Sequence, residues 1–556
     1  MQRKGKNRLK AALAACACGC ALLLAASPAH AATAAYQLYP TPHDLKMGEG
    51  AQTLRSKATV VLENGIDADT EARLNEALQL KGITPAKADK PSGKGATNVV
   101  VGVDGSNGAA DKLVDELTAS GELEYDKDLF KKTDAYLLAS VPAKGNRGDS
   151  IVVLGKSTDA AFYGLTSLYQ IFQQIDGAKL SAFTLQDYAD VVTRGFIEGY
   201  YGNPWSTEDR VNLMNWGGYY KLNAYVYAPK DDPKHNAKWQ ELYTPEEIEQ
   251  KVKPLAAAGN RSKCRFVFAL HPFMRDPITA ANYDTYVPKM KAKFKQVIDA
   301  GVRQIAILAD DAGDQGADLY KKLLEDTTRW LHELQKEKNP DGSLKYPGLK
   351  DTLIFCPVHY MGHGEDWYKD LPKNVQVVNT GGRVWGKIDK NFADAFKNTS
   401  GVSPFMWINW PCSDNDKDAL HMGGHDNFLG SDLKPGQVEG VVLNPMQQSE
   451  PSKQGIFMNA DFSWNLWKST DHSAQVWEDS FSYVDHNSPV ATKGSNALRE
   501  LSNHMKRMYG GGATWINGES AEIKDKLEGF RRKLDAGTVS DADIVEMVKV
   551  FSSLQK

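Results

Sequence analysis

The chain has 556 residues, and its composition is 42% hydrophobic, 24% charged and 10% aromatic. Such a composition suffices for large hydrophobic cores and argues against a disordered chain. The formal net charge of −4 gives no reason to expect nucleic acid or an anionic membrane surface as a partner.

The N-terminus carries the pattern of an export signal. Residues 1–10 are rich in lysine and arginine, an apolar run follows, and the segment SPAHA ends in a small-x-small site at Ala31. The apolar run is short for a membrane span, and no later run is long enough to cross a bilayer. We therefore expect residues 1–31 to be a cleaved signal peptide and the mature protein to be secreted or extracellular, with no membrane span.

The cysteines indicate neither a disulfide scaffold nor a metal site. Three of the six lie in the signal segment, and the mature chain keeps Cys264, Cys356 and Cys412. An odd number leaves at least one cysteine unpaired, and the mature chain has no CxxC pair. We expect no cofactor and no bound metal.

Residues 36–190 are predicted to form a small α/β domain. Four β-rich runs are predicted as strands and two amphipathic segments as helices, at 58–63, 96–103, 134–141 and 149–155, and at 111–121 and 159–175. No cluster of acids and no nucleophile stands out in this region. We therefore interpret it as a supporting domain.

From residue 191 onward, short β-rich runs alternate with helical segments. Eight runs are predicted as strands: 194–199, 223–228, 265–270, 304–311, 352–358, 375–380, 404–409 and 439–445. Several helical segments between them end at glycine, a residue that stops helices. This alternation favours a (β/α)8 TIM barrel over an open sheet. We place the barrel at 191–480 and a helical region at 481–556.

Polar and aromatic side chains follow the predicted strands, whose interiors are mostly apolar. In a TIM barrel the active site is built at the carboxyl ends of the strands. The side chains at these ends are Glu198, Gly199, Tyr200, Tyr201, Tyr227, Lys230, Asp231, Asp232, His271, Asp310, Asp311, His359, Tyr360, Asn379, Thr380, Trp407, Asn409, Asp414 and Asn444. This contrast between strand interiors and strand ends predicts a catalytic face.

Asp310 and Asp311 are the most informative pair at this face. Two neighbouring carboxylates repel, so one of them tends to hold a proton near neutral pH. A protonated acid beside a charged one suits glycoside cleavage, in which one group protonates the leaving oxygen and the other stabilises positive charge. Adjacent residues are hard to place on both sides of a sugar, so the pair favours cleavage assisted by the 2-acetamido group of the substrate. The alternative, a helix cap, is less favoured at the end of a barrel strand.

Some strand-end groups also have a purely structural interpretation. Glu198 can form a buried salt bridge with Arg194 or Arg210 and so shape the barrel. Taken alone, a run of charged residues such as Lys230, Asp231 and Asp232 is typical of a solvated turn.

Five segments resemble glycoside hydrolase family 84, the family of bacterial β-N-acetylglucosaminidases and eukaryotic protein O-GlcNAcases. They occur in the family's order between 194 and 453: RGFIEGYYGNPWSTEDR, KLNAYVYAPKDDPKHNAKW, ILADD, WINWPCSD and LNPMQQSEPSK. The first two are long and specific. The start YQLYPTPHDL and the helix FYGLTSLYQIF also look like the α/β domain that precedes the barrel in this family.

The resemblance implies roles for individual residues. Asp310 matches the aspartate that binds the acetamido nitrogen and promotes oxazoline formation, and Asp311 matches the general acid and base. Further contacts to the sugar are implied at eight positions: Gly199 and Lys230 at its hydroxyls, Tyr360 and Cys356 at the acetamido group, Trp407 beside the pocket, and Asn409, Asp414 and Asn444 at hydroxyls.

The sequence departs from the family pattern at three places, one of which is the segment NTGGRVWG after the sixth strand, only a partial match. The segment before Tyr360 reads CPVHY, where the family usually has Thr-Glu before the tyrosine, and this bears on the orientation of Tyr360. The spacing from Asp311 to Tyr360 is long, so we expect an extra loop at 339–348 near the cleft.

The favoured function is a secreted, retaining, exo-acting β-N-acetylglucosaminidase whose partners are glycans or glycoproteins with terminal β-linked N-acetylglucosamine. An endo-acting hyaluronidase and a non-catalytic sugar-binding protein are the alternatives. A metallohydrolase is a more distant one, because two segments have ligand-like spacing: His359, His363 and Asp366, and His421 and His425. Both segments are glycine-rich and are predicted as loops, which weakens that interpretation.

Overall fold

The computed structural model describes residues 36–414, 417, 419–505, 507–510 and 514–553. The predicted signal peptide at 1–31 lies outside these ranges. None of the described helices is long and apolar enough to cross a membrane.

The N-terminal part is a mixed seven-stranded sheet. Its strands are β1 Asp44–Thr53, β2 Lys57–Leu62, β3 Thr84–Lys87, β4 Thr97–Val103, β5 Thr133–Val141, β6 Asp149–Gly155 and β7 Lys179–Ala189. The spatial order is β1-β7-β5-β6-β4-β2-β3. Three of these strands, β1, β3 and β7, were not predicted. Strand β1 is mostly exposed and β3 is short and contains a proline, so neither has the apolar pattern of a buried strand.

Eight parallel strands close into the predicted barrel. They are β8 Thr193–Glu198, β9 Ala224–Tyr227, β10 Arg265–Leu270, β11 Gln304–Leu308, β12 Leu353–Cys356, β13 Val375–Asn379, β14 Phe405–Ile408 and β15 Gly440–Leu443. Strand β15 pairs with β8 and completes the ring. The barrel strands are buried along their whole length, because side chains fill the interior and helices cover the outside.

Helices accompany both sheets and continue after the barrel. In chain order they are α1 Ala68–Gln79, α2 Ala109–Ala119, α3 Thr158–Gln174, α4 Thr207–Gly218, α5 Pro245–Glu247, α6 Lys253–Ser262, α7 Tyr283–Asp299, α8 Ala317–Lys336, α9 Lys390–Ser400, α10 His425–Phe428, α11 Ser449–Trp464, α12 Thr470–His486, α13 Lys493–His504, α14 Gly518–Asp535 and α15 Asp541–Ser553. A π-helical turn, Ile248–Val252, joins α5 to α6. Helix α1 was not predicted, while α4 begins at a capping box of Ser206 and Asp209.

The C-terminal region is helical, as predicted, with one interruption. Two short antiparallel strands, β16 Arg507–Gly510 and β17 Thr514–Asn517, lie between α13 and α14. The segments RMYG and TWIN are rich in residue types that favour strands. The predicted helix at 495–510 therefore ends earlier than expected.

The N-terminal sheet contacts the barrel at the starts of its strands. Arg265, the first residue of β10, donates to Asp159 of α3 at 2.7 Å, and Lys350 donates to the same carboxylate at 3.1 Å. Lys263 lies 3.5 Å from Asp159. Burial alone would raise the pKa of Asp159, but these three cations hold it far below its ordinary value. The supporting sheet thus leaves the opposite end of the barrel for the active site.

The loop at 339–348 lies at this same supporting end, so its expected place near the cleft is wrong. It connects the end of α8 to the start of β12, and such connections run to the amino ends of barrel strands. Arg303, just before β11, donates to the carbonyl of Pro347 at 2.9 Å.

We expect Asp159→Asn to lower the free energy of unfolding by about 3–5 kcal/mol, because it leaves buried cations without their carboxylate. The measurement is the urea midpoint at neutral pH. Asp318→Asn is the control, since Asp318 pairs with Lys321 while its own side chain is fully exposed. Equal midpoints for the two variants would contradict this interpretation.

Candidate active site

A cavity opens at the carboxyl ends of the barrel strands. The residues that line it are Gly199, Tyr201, Lys230, Asp310, Asp311, Tyr360, Thr380, Val384, Trp407, Asn409, Asp414 and Asn444. All the site residues implied by the sequence are among them except Cys356. They come from seven of the eight strand ends, so closure of the barrel is what brings them together.

The backbone after β11 turns both aspartates toward this cavity. The strand ends at Leu308, and Ala309 still donates to the Cys356 carbonyl at 2.8 Å. Asp311 has a φ of 58°, in the left-handed region that non-glycine residues seldom adopt. In a regular strand the two side chains would point to opposite faces. The turn removes that alternation, so a single ligand can meet both carboxylates.

Asp310 is a buried carboxylate held in its charged form. It is 5% exposed, and its Oδ2 lies 3.8 Å from the Lys230 ammonium group. Burial favours the neutral acid, but Lys230 and His271 outweigh it and hold the pKa of Asp310 below its ordinary value.

His271 also fixes the main chain at this point, because its Nε2 lies 2.7 Å from the Asp310 carbonyl oxygen. Among the described residues, Asp310 Oδ1 has no hydrogen-bond partner. A buried acceptor without a partner suits a ligand N–H group.

Asp311 has a different environment at the mouth of the same cavity. It is exposed, and the Tyr360 hydroxyl donates to its Oδ1 at 3.0 Å. Tyr360 is half-buried, and its pKa is raised by burial and then by the charge of Asp311, so the phenol keeps its proton. The pair therefore consists of one buried, charged carboxylate and one accessible carboxylate.

A rigid amide cluster forms the opposite wall. Trp407 Nε1 and Asn444 Nδ2 each donate to Asn409 Oδ1 at 2.9 Å, and the Gly199 amide donates to Asn444 Oδ1 at 3.1 Å. A Cβ at Gly199 would lie only 2.4 Å from the Trp407 ring, so this position requires glycine. The cluster pre-orients its remaining donors and acceptors for a polar ligand.

Asp414 and Tyr201 close the third side. The Tyr201 amide donates to Asp414 Oδ1 at 2.7 Å. Burial raises the pKa of Asp414 above its ordinary value. Tyr201 and Thr380 were predicted to lie at strand ends, but no role was assigned to them. Val384 was not predicted, because it lies in a loop and not at a strand end.

Cys356 is not among the residues that line the cavity, and the contact that the resemblance implied stays a prediction. It is fully buried in the interior cluster of the barrel, with Leu308 and Val378. As the last residue of β12, it points into the barrel below the site. Tyr360 packs against this cluster.

The structure confirms the buried salt bridge expected for Glu198 and contradicts the solvated turn expected at Asp232. Glu198 is 1% exposed and accepts two hydrogen bonds from Arg210, at 2.7 and 2.8 Å, so it shapes the barrel as expected. Asp232, by contrast, is not in a solvated turn. It is buried and accepts from Tyr227, Tyr243 and Lys251.

The histidine segments show no metal-like arrangement in the part of the chain that the structure describes, where no group of three or more His, Cys, Asp or Glu residues is placed to hold a metal ion. His359 Nδ1 instead pairs with Glu365 at 2.6 Å. The His425 side chain lies outside the described residues.

We expect Lys230→Gln to move the acidic limb of the pH–rate profile to higher pH. Lys230 is the main group that lowers the pKa of Asp310, and its loss lets burial raise that pKa, so Asp310 is protonated at a higher pH. The measurement is kcat/KM against pH on an aryl N-acetyl-β-glucosaminide. Lys251→Gln is the control, since Lys251 pairs with Asp232 outside the cavity. An acidic limb at the wild-type pH in Lys230→Gln would contradict the assignment.

The barrel and its paired carboxylates define the class of protein. Two acids with separate environments, faced by amides and a tryptophan in one pocket, form the site of a glycoside hydrolase.

Comparison with protein families narrows this class. The family model described as beta-N-acetylglucosaminidase matches residues 194–503, more than half of the chain. A second model, glycosyl hydrolase family 20, domain 2, matches residues 35–188. The chain belongs to the β-N-acetylglucosaminidases of glycoside hydrolase family 84.

Individual relatives agree with this placement. Protein O-GlcNAcase of Rattus norvegicus and that of Mus musculus are each 30% identical over 274 residues, which is 47% of this chain and 29% of each relative. The chain thus matches less than a third of the length of these curated relatives. The solved structure of CpGH84D has a TM-score of 0.79 at 32% identity and covers 93% of this chain and 83% of that chain. CpGH84B has a TM-score of 0.72 at 24% identity over 93% of this chain and 85% of that chain, which supports the fold alone.

Proposed function

We propose that this chain is an exo-acting, retaining β-N-acetylglucosaminidase that uses the acetamido group of its substrate as the nucleophile. The observation that carries the proposal is the pairing of a buried, charged Asp310 with an accessible Asp311 in one cavity. A nucleophilic carboxylate would need to stand across the sugar from the acid. Two consecutive residues on one strand end favour a nucleophile supplied by the substrate.

The first step forms an oxazoline. Asp310 accepts a hydrogen bond from the N–H of the acetamido group and stabilises the positive charge that develops on that group. The carbonyl oxygen of that group bonds to the anomeric carbon while the glycosidic C–O bond breaks. Asp311, in its protonated form, gives its proton to the departing oxygen.

The second step reverses these roles. Asp311, now charged, takes a proton from a water molecule whose oxygen attacks the anomeric carbon. The oxazoline C–O bond breaks, the electrons return to the acetamido group, and the sugar leaves with its original β configuration. Tyr360, which donates to Asp311, stabilises the carboxylate that the first step leaves and the second step uses.

Exo cleavage is supported by the closed side of the cavity. The amide cluster and Asp414 form two walls of the cavity, and Gly199 is packed against Trp407 without room for a side chain. A chain that continued beyond the non-reducing sugar would meet this wall. An endo-acting hyaluronidase would need an open groove on both sides of the scissile bond.

We further propose that the enzyme is exported and acts on glycans or glycoproteins outside the cytoplasm. The basic, apolar and small-residue pattern at 1–31 supports export. N-terminal sequencing of the protein from the culture medium, beginning at Ala32, is the expected result. Retention of the full chain in the cytoplasm would contradict export.

The reaction is tested by hydrolysis of 4-nitrophenyl N-acetyl-β-glucosaminide, with the product anomer followed by proton NMR. We expect the β-anomer first, as retention requires. The α-anomer first would exclude the two-step mechanism. Loss of viscosity of hyaluronan without release of monosaccharide would favour the endo-acting alternative, and sugar binding without turnover would favour a non-catalytic protein.

A further inference from the structure

A second cavity lies beside the active site on the same face of the barrel. It encloses about 510 Å³, open solvent included, against about 450 Å³ in the same sense for the active-site cavity. Its walls include Asp314, Tyr320, Val358, His359, Glu365 and Trp367. None of these residues has a part in the two-step mechanism.

The two cavities are neighbours because the same two loops build both. The loop after β11 places Asp311 in the active site and Asp314, three residues later, in the second cavity. The loop after β12 places Tyr360 in the active site and the preceding His359 in the second cavity. The hydrogen bond from Tyr360 to Asp311 marks the boundary between them. The second cavity therefore lies on the side of Asp311, which is the general acid in the proposed function.

The chemistry of the second cavity suits a sugar ring. Glu365 accepts hydrogen bonds from Trp367 Nε1 and His359 Nδ1, both at 2.6 Å, which hold its carboxylate in place. Trp367 lies nearly parallel to Tyr320, with 6.1 Å between ring centroids, and this gives an aromatic wall. Carboxylate oxygens accept from sugar hydroxyls, and aromatic rings pack against the C–H faces of sugars.

The charge of this cavity selects among sugars. Two carboxylates, Asp314 and Glu365, line it, and among its described lining residues only His359 can carry a positive charge. His359 already pairs with Glu365, so the charge of Asp314 has no cation of its own in the lining. An anionic ligand would meet net repulsion here.

We propose that this second cavity is the binding site for the sugar next to the scissile bond, and that it accepts a neutral sugar and discriminates against a uronic acid. The proposal rests on the proposed function, because it needs the general acid to stand between the two sugars. On this proposal, two segments take part in substrate choice: CPVHY, where the sequence departs from the family pattern, and GHGEDW. It also favours neutral glycan substrates over hyaluronan, whose next sugar is a glucuronate.

The test compares three substrates. Methyl N-acetyl-β-glucosaminide has no second sugar, but its leaving group needs the proton of Asp311 as a disaccharide does, so it reports the active site alone. GlcNAcβ1-4glucose and GlcNAcβ1-4glucuronate have the same linkage and ring and differ only at C6. We expect the wild type to prefer the glucose disaccharide at least tenfold in kcat/KM. A ratio near one, or a preference for the glucuronate, would overturn the discrimination.

Two variants separate the cavity from the active site. Trp367→Ala is expected to lower kcat/KM for the glucose disaccharide at least tenfold more than for the methyl glycoside. The double variant Asp314→Asn, Glu365→Gln keeps the shapes and removes the charges, so it should narrow the glucose-to-glucuronate ratio at least fivefold. Asp318→Asn on the adjacent helix start is the control and should leave that ratio as in the wild type.

The outcomes distinguish the two proposals. Equal losses on the methyl glycoside and the disaccharide would show that these residues act only by supporting Tyr360 and Asp311, which would overturn the second site. If Trp367→Ala does not fold, the isosteric double variant decides. No hydrolysis of 4-nitrophenyl N-acetyl-β-glucosaminide by the wild type would contradict the proposed function itself, and the second site with it.

Discussion

Asp311→Ala is expected to lower kcat/KM about 10³-fold on substrates with a poor leaving group, such as the methyl glycoside. The reason is that an alkoxide cannot depart without the proton that Asp311 supplies. With 2,4-dinitrophenol as the leaving group, which departs without a proton, the loss in the first step is expected to be far smaller. The measurement is kcat/KM for wild type and variant across a series of leaving groups.

Azide provides the control for this variant. It is an anionic nucleophile and needs no general base, so it should raise the turnover of Asp311→Ala and give the β-glycosyl azide. Asp231→Asn, an exposed aspartate near the cavity that does not line it, should behave as the wild type. A loss in Asp311→Ala that is independent of the leaving group, with no effect of azide, would show that Asp311 is not the acid and base.

Asp310→Asn is expected to lower kcat/KM about 10²–10³-fold for every leaving group alike. Asp310 acts on the acetamido group and not on the departing oxygen, so the quality of the leaving group does not compensate for its loss. The variant also leaves the Lys230 ammonium group next to a neutral amide in a buried site, which disfavours the growing positive charge. The measurement is the same leaving-group series.

The pattern of the two variants is more informative than either loss. Azide should not restore Asp310→Asn, because formation of the oxazoline is then the impaired step. A loss that depends steeply on the leaving group would assign the proton transfer to Asp310 and would reverse the two roles.

The barrel could be predicted from the sequence because its strands leave a strong signal. Residues 266–270, for example, are all apolar, since this strand is buried along its whole length, and a polar group, His271, follows at its end. Strands β1 and β3 were not predicted because they lie at the two edges of the N-terminal sheet. There, one face or both meet solvent, and the apolar pattern of a buried strand is lost.

The candidate site was predictable to the extent that it depends on strand ends. Topology alone brings Lys230, Asp310 and Asn444 to one face of the barrel. The left-handed backbone conformation of Asp311 could not be predicted from the sequence, because it depends on local backbone geometry. Nor could the sequence show that Cys356 points into the interior, or that Val384 reaches the cavity from a loop.

The position of the loop at 339–348 shows a second limit. Its length was visible, but the face on which it lies depends on whether it follows a strand or a helix. It follows α8, so it lies with the supporting sheet. The proposed second cavity instead places substrate choice in the loops after β11 and β12.

The most direct test of the central claim is the rate of hydrolysis of aryl β-glucosaminides whose acetamido methyl group carries zero, one, two or three fluorine atoms. Fluorine withdraws electrons from the amide oxygen and weakens it as a nucleophile, while the leaving group and the sugar stay the same. Participation of the acetamido group predicts that kcat/KM falls steeply with each added fluorine. A rate that is independent of fluorine would contradict substrate assistance and would require another nucleophile in this site.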